Sequence, residues 1–173
     1  MYHSIFTSSD LRYAAYSHQD GFIEVYDISD GNNANELYCI GEHCWNSVSD
    51  LIFNGDLMAS CGGYDPRCML FDLKTGQIRH VLQGYEYCHF SEFSKDGSKI
   101  MMLCGFERKT ALVYSCETGN LLYELTAPEG TAFYDAGFNE EGSRAIAMTD
   151  DGREVVGLLY PTLDELVEEA RNR

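Results

Sequence analysis

The run Phe93-Ser94-Lys95-Asp96-Gly97-Ser98-Lys99-Ile100-Met101-Met102 decides the fold. An aromatic residue ends one apolar strand, a polar turn with Asp-Gly follows, and a second apolar strand begins. Gly takes positive φ at little cost, so Asp96-Gly97 reads as a hairpin turn. The phrase recurs as FTSSDLRYAA (6–15) and FNEEGSRAIA (138–147), and in a shorter form as FNGDLMAS (53–60). Glu141-Gly142 is a weaker version of the same turn signal. The anchors Phe6, Phe53, Phe93 and Phe138 lie 47, 40 and 45 residues apart.

A second column keeps the same register. Tyr26, Phe71, Tyr114 and Leu159 are spaced 45, 43 and 45 apart. Val25, Leu70, Val113 and Leu158 precede them by one residue, and Ile23, Cys68, Ala111 and Val156 by three. Those two positions share a period-2 face and are apolar in all four copies, as in a strand with one face committed to a core. The next phrase also repeats: YDISDGN (26–32), FDLKTGQ (71–77), YSCETGN (114–120). Each unit of about 43–44 residues reads as strand, turn, strand, loop, strand, turn, strand. That period with four strands per unit predicts an all-β fold of β-propeller blades, because one small sheet cannot bury both its faces alone. The units fall at about 1–37, 38–80, 81–125 and 126–160. Counting gives about fifteen strands, with the fourth strand of the last unit missing.

The tail reads differently. Thr162 and Glu165 form a capping-box pattern after Pro161. Leu163, Leu166, Val167 and Ala170 line one helical face, and Arg171 and Arg173 suit the negative end of the dipole. Residues 161–173 are therefore expected to hold a short amphipathic C-terminal helix, over about 162–171, packed on the last unit.

Composition narrows the function classes. The 173 residues carry 12 Lys+Arg against 28 Asp+Glu, a formal charge of −16. That balance opposes a nucleic-acid interface, which needs a basic stripe, and an anionic membrane surface. A hydrophobic content of 45% with 13% aromatics excludes a disordered acidic tail. Seven cysteines, an odd number with no Cys-x-x-Cys, suit a reduced intracellular protein. With no leader pattern in the first residues and no long apolar run, the expected location is cytoplasmic.

These residues resemble the WD-repeat family. The matching motifs are Phe93-Ser94-Lys95-Asp96-Gly97, Met58-Ala59-Ser60, Asp20-Gly21 through Val25-Tyr26-Asp27, and Asp65 through Leu70-Phe71-Asp72-Leu73-Lys74-Thr75-Gly76. The resemblance covers residues 1–160. The family's Trp is replaced by Tyr26, Phe71, Tyr114 and Leu159, and its His–Ser–Asp network survives in outline only as His43, Ser60 and Asp65. The ending is similar to bacterial propellers appended to signalling NTPases, receptors or kinases. The resemblance implies a protein-protein interaction scaffold without enzymatic activity. It also implies seven or eight blades, so four units suggest the C-terminal half of a larger propeller. A half that pairs with a second copy and a closed four-bladed ring remain alternatives. Open blade edges invite self-association.

In the family pattern, partners dock on the face that carries two sets of loops. Between fourth and first strands stand Trp45, Tyr85, Tyr87, Phe133 and Tyr134; between second and third strands stand Tyr64, Arg67, Phe106 and Arg108. Trp, Tyr and Arg are enriched in binding hot spots, although rings also pack between blades. The acidic surplus suits a basic protein partner. The competing reading is a propeller enzyme or metal-binding protein with a polar central channel. It would use His3, Asp50 and Asp135, which share a column that Phe90 interrupts; an incomplete constellation weighs against it. Cys39, His43 and Cys44 lack zinc-site spacing, and no helix pattern follows Gly62-Gly63 to make a phosphate loop. No catalytic, cofactor or metal residues are expected.

Overall fold

The computed structural model describes residues 4–41, 48–62, 65–85 and 87–159, the side chains of Ser49, Phe90 and Ser91 excepted. Among these residues the chain forms fifteen strands in four antiparallel sheets. The first sheet is β1 (Ser4–Thr7), β2 (Tyr13–Ser17), β3 (Ile23–Asp27) and β4 (Asn35–Ile40). The second is β5 (Val48–Asn54), β6 (Leu57–Gly62), β7 (Arg67–Asp72) and β8 (Gln77–Gln83). The third is β9 (His89–Phe93), β10 (Lys99–Cys104), β11 (Thr110–Ser115) and β12 (Leu121–Thr126). The last has three strands, β13 (Phe133–Phe138), β14 (Arg144–Thr149) and β15 (Glu154–Leu158). In every sheet the strands pair in chain order. β4 pairs with β3 and so completes the first sheet.

The expected fold class needs a correction. No helix occurs among the described residues, and the C-terminal helix expected at 161–173 lies outside them. The described fold is all-β. The helix rested on local signals alone, and a helix of about ten residues draws its stability from packing rather than from caps and propensity.

Alternation along each strand divides the sheets between neighbours. Tyr13, Ala15, Ile23 and Val25 of the first sheet meet Met58, Met69 and Phe71 of the second in one core cluster. The next residues along the same strands of the second sheet, Ala59, Cys61, Cys68 and Leu70, meet Ile100, Met102, Leu112 and Tyr114 of the third. Met101, Leu103, Ala111 and Val113 then meet Ala145 and Ala147 of the fourth. The two middle sheets are therefore dry on both faces: β6, β7, β10 and β11 each hold four or more consecutive buried residues. β1 touches β5, β5 touches β9 and β9 touches β13. No contact of that extent returns from β13 to β1 among the described residues.

Side chains on outer strands fasten one sheet to the next. Tyr38 on β4 donates its hydroxyl to the Lys74 carbonyl at 3.0 Å, and its ring lies where a Cβ on Gly76 would be. His80 on β8 bonds the Glu117 carbonyl at 2.8 Å and covers Gly119 in the same way. Tyr114, at the position of the family's Trp, donates to the Gln83 carbonyl of the preceding sheet.

The repeated turn explains the repeated phrase. Ser94 donates to Asp96 at 2.6 Å and accepts from the Lys99 N–H at 2.9 Å. Ser8 does the same with Asp10 and the Tyr13 N–H, at 2.6 and 2.9 Å. In the fourth sheet Asn139 takes the role, accepting from the Arg144 N–H at 2.7 Å. Gly97 (φ 71°) and Gly142 (φ 67°) hold the left-handed position, but in the first copy Leu11 sits there at φ 56°. An L-residue with a Cβ is strained in that region by roughly 1–2 kcal/mol. Leu11→Gly should therefore raise stability by about 0.5–1 kcal/mol after the entropy cost of Gly is subtracted. A lower denaturant midpoint for the variant would contradict this turn assignment.

Two turns, the Ser94–Lys99 turn and the Thr149–Arg153 turn between β14 and β15, predict an acid limit. The Ser94 hydroxyl, opposed by partial burial, holds the Asp96 carboxyl down at about 2. Arg153, with Thr149, holds Asp151 at about 2. A depressed carboxylate contributes stability that is full above its unfolded pKa and lost as pH falls through the folded one. The melting temperature should thus drop between pH about 4 and about 2, and Ser94→Ala should make that drop shallower. An equal slope in the variant would count against the turn as its source.

Candidate functional site

The nine docking residues expected from sequence do not form one continuous group. Trp45 and Tyr64 lie outside the described residues. Phe133 is 1% exposed and belongs to the core between third and fourth sheets, so it presents no ring to a partner. Arg67 grips the buried Asp65 with a two-pronged bond, Nε to Oδ1 at 2.9 Å and Nη2 to Oδ2 at 2.8 Å. Asp65 and the fully buried Ser60 are the described members of the expected His–Ser–Asp network; His43 lies outside.

Tyr85, Tyr87, Phe106 and Arg108 come from two neighbouring loops, and two of them touch. The rings of Tyr87 and Phe106 meet edge to face, 5.3 Å between centroids and 73° between planes. Phe106 is 81% exposed, and Tyr85 and Tyr134 are about half exposed. A Phe so open to water lacks the burial that its size would normally find. The backbone beneath the pair is strained. Leu11, Tyr87 and Arg108 are the described non-glycine residues at positive φ, and the last two sit here, at 59° and 48°. Arg108 closes its turn onto the Gly105 carbonyl at 2.9 Å. Its own carbonyl accepts from the Phe133 N–H at 2.8 Å, which ties the Phe106 loop to the fourth sheet.

Beneath Tyr85 and Tyr87 lies a group of buried thiols. Cys88 Sγ approaches Cys104 Sγ at 2.8 Å and donates to the Tyr85 carbonyl at 2.8 Å. Cys61 Sγ reaches the Cys88 carbonyl at 3.1 Å. Hydrogen bonding to Cys61 and Cys88, then burial, pushes the Cys68 thiol well up; bonding to Cys88, then burial, does the same to Cys104. The sulfurs thus seat the aromatic loop on the core. Nothing in their sequence spacing joins 61 and 68 to 88 and 104.

The polar column expected of a channel site is engaged locally. Asp50 accepts from the Leu51 N–H at 2.8 Å and Asp135 from the Ala136 N–H at 2.9 Å. His3 lies outside the described residues, and the Phe90 side chain is not described. No group of three or more His, Cys, Asp or Glu side chains has metal-holding geometry among the described residues. No described helix is long and apolar enough to cross a membrane.

Comparison with known proteins adds to the sheet geometry. No family model and no curated protein matches the sequence. Among solved structures, a chain of the crystal structure of the mitotic checkpoint complex superposes with a TM-score of 0.66 over 91% of this chain, at 15% identity. The fold is a WD-like propeller arrangement. The match covers 49% of the solved chain, so this chain spans about half its length.

The packing beneath the aromatic loop can be tested by thiol chemistry. In the native protein, Cys39 should react with an aromatic disulfide reagent, while Cys61, Cys68, Cys88, Cys104 and Cys116 should be labelled only on unfolding. Rapid native labelling of Cys88 or Cys104, mapped by mass spectrometry, would contradict the seating of the Tyr85–Tyr87 segment.

Proposed function

We propose that the chain is a protein-binding module that catalyses no reaction, and that its partner docks on the rim formed by Tyr85, Tyr87, Phe106, Arg108 and Tyr134. The observation that carries this reading is the contact between half-buried Tyr87 and exposed Phe106, with left-handed backbone at Tyr87 itself and at Arg108. Left-handed conformations of such residues persist only where surrounding contacts over-determine them, and they cluster at functional sites. Here the strained backbone holds the exposed Phe106 ring against half-buried Tyr87, a low-entropy way to offer contact area. The likeness to a chain of a multiprotein complex supports protein partners in general.

The partner in this reading is basic. A charge of −16 would steer a cationic partner toward this chain and raise its on-rate at low salt. The reading includes a cytoplasmic location, for which the free thiols are support.

The test is affinity capture with the wild-type chain, followed by binding kinetics of the recovered partner at several salt concentrations. Tyr87→Ser with Phe106→Ser should weaken binding by roughly tenfold or more, the range of a hot-spot pair, without lowering the melting temperature. Wild-type should lose on-rate as salt rises. Full binding by the double variant, or a matching loss of stability, would overturn the rim assignment.

A further inference from the structure

The seam between second and third sheets buries four thiols, Cys61, Cys68, Cys88 and Cys104. We propose that Cys88 and Cys104 are a dithiol that a peroxide converts to a disulfide, fastening together the bases of the two aromatic loops. Formation of this bond does not rest on the rim reading.

Strand register brings the pair together. Leu103 pairs with His89 across β10 and β9, so the next residues outward, Cys104 and Cys88, stand across from each other. Their sulfurs are 2.8 Å apart. Little motion separates that approach from the S–S bond length of about 2.0 Å. Room for the two sulfurs is built in: a Cβ on Gly84 would collide with Cys88 Sγ and crowd Cys104 Sγ. The Gly84 N–H donates to the Pro66 carbonyl at 2.7 Å, which holds that bare Cα against the pair. The other two thiols support Cys88. Cys61 donates to the Cys88 carbonyl at 3.1 Å, and Cys68 bonds to Cys61 and to Cys88.

The surroundings also divide the roles. Bonds from Cys104, then from Cys68, hold the Cys88 thiol below its usual range despite burial, whereas bonding to Cys88 and burial push Cys104 up. The thiolate is the nucleophile, so Cys88 attacks a peroxide oxygen. An S–O bond forms, the O–O bond breaks, and the departing hydroxide takes the proton that Cys88 released and leaves as water. Cys104 then attacks the sulfenic sulfur. The S–S bond forms, the S–O bond breaks, and the second hydroxide leaves as water with the Cys104 proton. Two electrons pass from the sulfurs to the peroxide. A peroxide is close to water in size and enters on local opening of the segment above the sulfurs. Cys88 directly follows Tyr87, and Cys104 stands two residues before Phe106, so the bond ties the segments whose rings meet.

The test is to treat the folded chain with stoichiometric hydrogen peroxide and digest it with trypsin without reduction. Cleavage after Lys95 and Lys99 puts Cys88 and Cys104 in separate peptides. The expected product is one linked species, lighter than the two peptides by two hydrogen atoms and split by dithiothreitol. It should form before the exposed Cys39 is oxidised, and amide exchange at Tyr87, Cys88 and Gly105 should slow. Cys104→Ser should stop at a Cys88 sulfenic acid, captured by dimedone. Free thiols at Cys88 and Cys104 once Cys39 is oxidised would overturn the proposal. So would a link from Cys88 to Cys61 or Cys68, a link that forms only in urea, or unchanged exchange in the oxidised chain. These readouts use the wild-type protein and do not depend on how the variant folds.

Discussion

Packing between the facing stripes of consecutive sheets is the interaction on which the rest of this structure depends. A three- or four-stranded sheet with two apolar faces has no way to keep both from water by itself. Here each middle sheet solves the problem with strict alternation: Met58, Met69 and Phe71 turn to one neighbour, Ala59, Cys68 and Leu70 to the other. Because the side-chain period is two, a register slip of one residue would exchange these sets and misplace every stripe at once. The Asp-Gly and Thr-Gly turns matter for that reason. They fix the register that the seams require.

Polar contacts follow the same logic at the periphery. The Tyr38 and His80 side chains reach from an outer strand to a backbone carbonyl in the next sheet, and each rests over a glycine with no side chain to displace it. Tyr114 bonds the Gln83 carbonyl from the position where the family carries an indole donor. The aromatic rim stands on these seams: Tyr85 and Tyr87 sit over the sulfurs between second and third sheets, and the Arg108 loop is tied to the seam between third and fourth.

Much of this was legible in the sequence. The Phe and Tyr/Phe columns placed the hairpins, and the apolar positions before Tyr26, Phe71 and Tyr114 marked the stripes. Other features were not legible, for identifiable reasons. Leu11 carries no sign of positive φ; only alignment of its turn with Gly97 reveals it. Phe133 and Tyr134 look alike in a rim loop, but the pairing shifts between Phe133 and Asp135, so parity there does not follow from counting twos. The ring becomes core and its neighbour faces solvent. The helix expected at 162–171 rests on caps and a local stripe alone, and those residues lie outside the described ones. The Cys88–Cys104 approach depends on two strands that sequence spacing cannot bring together.

The central claim is that opposite faces of one strand belong to different seams, and a double-mutant cycle tests it most directly. Leu70 and Leu112 lie in different sheets but in one seam, whereas Leu70 and Met69 are adjacent in sequence but in different seams. Each replaced by Ala should cost about 2–5 kcal/mol. The account predicts a coupling of roughly 0.5–3 kcal/mol between Leu70→Ala and Leu112→Ala, and additivity within about 0.5 kcal/mol for Leu70→Ala with Met69→Ala. Strong coupling of the adjacent pair, with additivity of the distant pair, would contradict it.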